Sequence, residues 1–175
     1  QTNEDKLNTP IFYEIFDTTV KYQMTLYGNL DKGIYPIRNK LKTILLENND
    51  SKFNIISHEY LSMNQEEINK SLNESWMAVA DMSVYKYLVR KYFEIPLTKC
   101  VLFCEGSPEL VSLIGNNFIN ITKIMNNRTI KYLLDYYINN KEILCYISFQ
   151  ALSTLMKRNN KLNYFTRLIN ILEDI

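Results

Sequence analysis

Apolar residues recur along the chain at intervals of three and four, the spacing that places them on one face of a helix. The first such series runs from residue 13 to residue 44 and contains Gly33 and Pro36. Because the phase of the series is the same on both sides of Pro36, the pattern predicts one long helix that is kinked near this proline. Thr9 and Pro10 predict where it begins.

Three further series predict three more helices. The second begins at a capping box formed by Ser62 and Gln65 and ends before Pro96. The third begins at Ser107 and Pro108, and a change of phase predicts a break at residues 126–129. The fourth covers residues 141–173. The apolar residues 101–103 lie between the second and third helices, and we expect them to tuck under the end of a bundle.

Residues 143–156 form an uncharged stretch between charged pairs at 141–142 and 157–158. A helix that is apolar on nearly every side is typical of a buried helix. Its roughly fourteen residues are fewer than the roughly 18 needed to span a bilayer. We therefore expect it to be the core helix around which the others pack, with Ile147, Ala151 and Leu155 buried.

The composition agrees with a single folded domain over residues 1–175, since 46% of the residues are hydrophobic and 22% are charged. Only 4 Gly and 4 Pro are present, which favours long helices over many short strands. The predicted fold is therefore all-α, an antiparallel four-helix bundle with more than about 65% helix. The alternative divides the same stretches into seven or eight shorter helices around residues 143–156.

Residues with catalytic or metal-binding potential are few. His58 is the only histidine, and the cysteines Cys100, Cys104 and Cys145 lack the second close pair that structural zinc sites use. We expect three free thiols, no metal and no cofactor. The sequence has no Gly-rich phosphate loop and no nucleophile motif, and the net charge of +1 argues against nucleic-acid binding. These patterns predict a monomeric protein that is not an enzyme and has no small-molecule substrate.

One cluster of basic and aromatic residues lies on the predicted second helix. A solvated face with tyrosines that reach the surface explains it simply, and a contact surface for a partner protein or for acidic lipid headgroups is the functional alternative. The cluster consists of Tyr85, Lys86, Tyr87, Arg90, Lys91 and Tyr92.

Three polar residues interrupt the predicted core: Gln23 in the first helix, and Ser148 and Arg158 in the last. A buried polar group lowers stability unless it finds a partner inside the protein. We expect these positions to make the bundle only moderately stable, so that it could open and lay amphipathic helices on a membrane.

The abundance of Asn, Ile, Lys and Tyr indicates a genome rich in A and T. With its predicted helix lengths and without catalytic residues, the chain resembles the small secreted helical-bundle proteins with which malaria parasites act on host cells, such as the sporozoite microneme proteins of cell traversal. This resemblance implies a non-enzymatic protein from a parasite secretory organelle, which aids traversal or invasion by contacting a host protein or the host membrane surface.

A second resemblance covers the last third of the chain. Residues 144–152, with the sequence LCYISFQAL, and residues 160–174 are similar to the central helical hairpin of poxviral relatives of the B-cell-lymphoma-two apoptosis regulators. This resemblance implies the alternative function, in which a groove binds a helical host peptide in the host cytoplasm.

Overall fold

The computed structural model of the protein describes residues 20–28, 34–44, 54–58, 64–82, 88–122 and 125–158. Five short segments among them are strands, and most of their residues are apolar and buried, as is usual where helices cover both faces of a parallel sheet. The strands are β1 (Tyr22–Tyr27), β2 (Ile55–His58), β3 (Ser75–Ala80), β4 (Val101–Cys104) and β5 (Ile119–Asn120).

All pairs of neighbouring strands are parallel, and the order across the sheet is β2-β1-β3-β4-β5. Met24 of β1 lies opposite Ile55 of β2 on one side and Met77 of β3 on the other. Helices connect successive strands, because parallel neighbours require a crossover. The helices are α1 (Pro36–Lys42), α2 (Gln65–Asn73), α3 (Lys91–Leu97), α4 (Pro108–Ile114), α5 (Asn127–Asn139) and α6 (Lys141–Arg158).

The sheet lies between two hydrophobic cores. Successive side chains of a strand point to opposite faces, so each face of the sheet contributes apolar residues to a core of its own. Met77 and Val79 of β3 lie in the first core, together with residues of α1, α5 and the start of α6. Ala78 and Ala80 lie in the second core, with residues of α2, α3, α4 and the later part of α6. The molecule is thus built of three layers, with the sheet in the middle.

The predicted all-α four-helix bundle is wrong. Of the described residues, 56% are helical and 19% are in strands. The predicted second helix ends at Asn73, and the sequence SWMAVA after it is strand β3, in which all six residues are buried. A strand that is buried on both faces is apolar throughout, so its residues also satisfy a helical spacing. Residues 101–103, expected under the bundle ends, lie within β4.

The predicted kinked helix is also wrong over its described part. Residues 22–27 of the apolar series form β1, and Pro36 is the first residue of α1 rather than a kink inside a longer helix. Proline fits the first helical position because the amide hydrogen that it lacks would have no partner there. The expected start at Thr9 and Pro10 lies outside the described residues.

The predicted helix start at Ser107 is confirmed, and two other helices begin near boundaries that the sequence predicted. Ser107 caps α4 by accepting a hydrogen bond from the Leu110 amide at 3.1 Å, and Pro108 follows it. Asn126 caps α5 in the segment where the break was predicted. The capping box of α2 is formed by Asn64 and Glu67, two residues after the predicted one. Ser62 lies outside the described residues.

Helix α6 begins at Lys141 as predicted, but it is not the centre of the fold. Ala151 and Leu155 are buried as expected, whereas Ile147 is only partly buried. Tyr146 and Met156 are exposed. One face of α6 therefore packs against the rest of the protein and the other faces solvent, so the sheet forms the centre. Residues 159–175 of the predicted last helix lie outside the described residues.

Candidate functional site

A crevice lies at the carboxyl ends of β1 and β3, where the chain changes direction across the sheet. From β1 the chain proceeds to β2 at one edge, and from β3 it proceeds to β4 and β5 towards the other edge. The connections that follow β1 and β3 therefore diverge, which leaves a gap above their ends. In open parallel sheets with helices on both faces, ligands bind at this switch point.

Gly28 forms the floor of the crevice, immediately after β1. Its φ angle is +92°, a conformation that residues with a side chain rarely adopt. A methyl group at this position would overlap the ammonium group of Lys91 and would lie 3.1 Å from Nη1 of Arg38. Glycine therefore lets two cationic side chains approach the main chain at the end of β1.

Two buried cations, Arg38 of α1 and Lys91 of α3, converge on the carbonyl oxygen of Tyr27. Arg38 Nη1 donates to this oxygen at 3.5 Å, and Lys91 Nζ donates to it as well. Each cation also lies over an aromatic ring, at 3.8 Å from its centroid: Arg38 over Tyr35 and Lys91 over Tyr27. Arg38 is 2% exposed and Lys91 is 8% exposed, so positive charge is concentrated where water is scarce.

Burial disfavours the charged form of both groups. It lowers the pKa of Arg38, and the attraction of Asp81 partly offsets this effect. Burial and the nearby Arg38 lower the pKa of Lys91 to about 6, against the smaller opposing effects of Glu94 and Asp81. A guanidinium group keeps its proton at neutral pH in proteins, so Arg38 is the permanent charge of the site.

Asp81 holds the first turn of α1 in place from the end of β3. Its carboxylate accepts hydrogen bonds from the amides of Ile37 at 2.8 Å and Arg38 at 3.2 Å. The residue before the helix, Tyr35, makes no side-chain capping bond. Asp81 thus replaces the usual N-cap and fixes the helix that carries Arg38 beside the crevice.

Glu94 adds one carboxylate to the wall. It forms an ion pair with Arg90, the residue immediately before α3, and it accepts a hydrogen bond from the Tyr27 hydroxyl at 3.4 Å. Arg90 reaches across to α2, where it donates to the side chain of Gln65 at 2.7 Å. Burial, together with the charge of Glu94, raises the pKa of the Tyr27 hydroxyl, which therefore stays protonated.

The crevice has a volume of about 540 Å³. This volume is within the range of roughly 300–1,000 Å³ that is typical of sites for small molecules. Ile68 of α2 and Val89 add apolar surface to a lining that is otherwise polar, charged or aromatic. The cations of the crevice can bind an anion, and the Glu94 carboxylate can accept hydrogen bonds from hydroxyl groups. Ile68 and Val89 can pack against an apolar or aromatic group of a ligand.

The predicted basic-aromatic cluster is only partly described, because Tyr85, Lys86 and Tyr87 lie outside the described residues. Arg90 has an exposed side chain at the rim of the crevice. Lys91 and Tyr92 are buried, so these two side chains lie inside the protein and not on a solvated face. A membrane or partner contact by the cluster stays a prediction.

The three polar residues expected in the core have different environments. Ser148 is fully buried, and its hydroxyl donates to the carbonyl oxygen of Lys99. Gln23 is partly buried near the start of β1, where its side-chain oxygen accepts a hydrogen bond from the Asn54 amide at 2.6 Å. Arg158 is exposed and lies 3.5 Å from the Ser112 hydroxyl. The one buried member of the three is hydrogen-bonded.

The residues of the crevice other than Arg90 and Lys91 were missed by the sequence analysis. Gly28, Arg38, Asp81 and Glu94 come from four separate segments, and the sheet topology brings them together. The one local signal is the glycine that directly follows the buried strand YQMTLY, since a strand followed by a glycine turn often borders a ligand site in α/β proteins.

The three cysteines are free, as expected, and all three are buried. Burial raises the pKa of the Cys100 and Cys104 thiols well above the ordinary value. The described residues contain no group of three or more His, Cys, Asp or Glu residues arranged to hold a metal ion. They also contain no helix with the length and apolar character needed to cross a membrane.

The chain matches no protein-family model, no curated protein and no solved structure.

Proposed function

We propose that the protein binds a phosphorylated small molecule of the nucleotide class in the crevice at the ends of β1 and β3. The observation that carries this proposal is the convergence of Arg38 and Lys91 on the carbonyl of Tyr27, at the switch point of a parallel sheet. The proposal departs from the expectation that the chain has no small-molecule ligand.

An anion is the ligand that these two cations favour. The positive charge of Arg38 disfavours a charge on Lys91, and both side chains are removed from water. A phosphate group placed beside them would offset both effects, because it attracts each cation and accepts their hydrogen bonds. A guanidinium group also matches the geometry of phosphate oxygens with two parallel donors.

The rest of the crevice favours a nucleotide over inorganic phosphate. Glu94 is the only carboxylate of the described lining, and carboxylates suit the hydroxyl groups of a sugar. Ile68 and Val89 provide an apolar surface for the face of a base. The volume of about 540 Å³ exceeds what a lone phosphate needs.

Replacing Arg38 by methionine should weaken the binding of a nucleoside diphosphate by roughly 10- to 100-fold. This range corresponds to the loss of one or two hydrogen bonds between charged groups. Isothermal titration calorimetry with ADP, GDP, CDP and UDP measures the affinities of both proteins, and the parent nucleosides show whether the phosphates are required.

The matched control is Arg128→Met, because Arg128 is an exposed arginine on α5, away from the crevice. It removes the same charge and should leave the affinity within about twofold. Circular dichroism and a denaturation midpoint establish that each variant is folded. Equal binding by the Arg38 and Arg128 variants would contradict the proposal, as would failure of the unaltered protein to bind any of the four diphosphates at millimolar concentration.

The host-interaction expectations drawn from the sequence concern a different level of function, and they stay predictions. They are a secreted parasite protein without enzymatic activity that contacts a host membrane or receptor and, as the alternative, a host-cytoplasmic protein that binds a helical peptide. Nucleotide binding is compatible with a binding protein and with an enzyme.

A further inference from the structure

We propose that anion binding in the crevice is linked to proton uptake by Lys91, so that the affinity for the anion falls as the pH rises from 6 to 8. This inference rests on the proposed function, since it concerns the same site. It adds that Lys91 changes its protonation state when the anion binds, whereas Arg38 is charged throughout.

The position of the Lys91 amine makes it sensitive to a bound anion. The side chain extends from the first residue of α3 to the end of β1, where Nζ contacts the Tyr27 carbonyl and lies over the Tyr27 ring. Gly28 provides the space that Nζ occupies at the floor of the crevice. An anion that contacts Arg38 there would also lie close to this amine.

The charged and titratable groups around Lys91 come from each neighbouring element. Tyr27 belongs to β1 and stays neutral, and Arg38 belongs to α1 and repels a second positive charge. Asp81, after β3, and Glu94, on α3, attract it. Asp81 is already hydrogen-bonded to the amides of α1, and Glu94 is paired with Arg90. Burial and Arg38 therefore outweigh the two carboxylates and lower the pKa of Lys91 to about 6.

The direction of the pH effect follows from linkage. Above pH 6 the amine of the free protein is mostly neutral, and a bound dianion raises its pKa because the charged form is then favoured. Between the pKa of the free protein and that of the complex, binding takes up one proton. The affinity then falls by up to tenfold for each unit of pH. Below pH 6 the amine is already charged, and its contribution becomes constant.

Inorganic sulfate is a suitable probe because it keeps two negative charges across the whole range and does not titrate itself. Amide signals of Gly28 and Arg38 in the NMR spectrum can follow titrations with sodium sulfate at pH 6, 7 and 8, at constant ionic strength. We expect the dissociation constant to rise by roughly 10- to 50-fold from pH 6 to pH 8. In Lys91→Arg, whose cation does not titrate, it should change less than about twofold.

A second measurement does not depend on the folding of a variant. The carbon atom next to the Lys91 amine reports its protonation by NMR, and its titration midpoint should move up by at least one pH unit in saturating sulfate. Proton linkage is overturned if sulfate binds with the same pH dependence in both proteins and the midpoint does not move. Absence of sulfate binding at every pH would instead contradict the anion site, and with it the proposed function.

Discussion

Replacing Asp81 by alanine should destabilise the protein by about 2–4 kcal/mol, measured as the free energy of unfolding in urea. Asp81 is 2% exposed, and its carboxylate accepts hydrogen bonds from two amides in the first turn of α1. Alanine would leave both donors without this acceptor in a place that water reaches poorly. It would also remove a negative charge that favours the charged form of the buried Arg38.

Two controls separate the causes of this loss. Asp81→Asn keeps an oxygen acceptor of nearly the same shape but removes the charge, so we expect about half of the destabilisation. Glu66→Ala removes an exposed carboxylate from the first turn of α2 and should change the stability by no more than about 0.5 kcal/mol. If Asp81→Ala is no less stable than Glu66→Ala, Asp81 does not anchor α1.

Replacing Gly28 by alanine should abolish measurable nucleotide binding, a loss of at least about 30-fold, and should cost about 1–2 kcal/mol of stability. The stability loss comes from a φ angle of +92°, which an L-residue adopts at a cost of that order. The binding loss has a separate cause, because the new methyl group would occupy the position of the Lys91 ammonium group and crowd Arg38.

Gly115→Ala is the matched control for Gly28→Ala. Gly115 also has a positive φ angle, +70°, and a methyl group there would lie 3.0 Å from the side-chain amide of Asn117. This glycine follows α4 and is not part of the crevice lining. We expect a similar loss of stability in urea with unchanged affinity in calorimetry. Equal affinities of the two variants would show that Gly28 does not shape the site.

Local signals in the sequence predicted the ends of several elements. Ser107 with Pro108, and Asn126 with the change of phase after Met125, mark real helix starts because a side-chain cap and a proline act within one turn of the chain. At Pro36 the proline alone marks the start of α1, because Tyr35 before it provides no side-chain cap. The apolar spacing continues across Pro36, and this continuity favours the prediction of a kink over that of a helix start.

The sheet was missed for a physical reason. Strands of a parallel sheet covered on both faces do not alternate between apolar and polar residues, so SWMAVA and VLFC lack the period of two that identifies a half-exposed strand. These apolar segments are short and alternate with helices. This alternation is the feature of the sequence that indicates an α/β fold.

The site could be predicted even less well than the fold. The sequence pattern predicts Arg90 and Lys91 only as members of the basic-aromatic cluster. The residues next to them in sequence do not show that Lys91 is buried against the end of β1. Arg38 and Asp81 are 43 residues apart and meet only because β1 and β3 are neighbours in the sheet. A site of this kind depends on strand order, which the sequence does not display locally.

The most direct test of the account is to locate a bound nucleoside diphosphate by NMR with ¹⁵N-labelled protein. Saturable shifts should concentrate at the amides of Gly28, Arg38 and Lys91. The amide of Ser75 should be unaffected, because Ser75 is the first residue of β3. It lies about 16 Å from Ala80 at the carboxyl end of this strand, at the usual rise per residue. Shifts that cluster away from the carboxyl ends of β1 and β3, or no shifts with any of the four diphosphates at millimolar concentration, would contradict the assignment of this crevice as the ligand site.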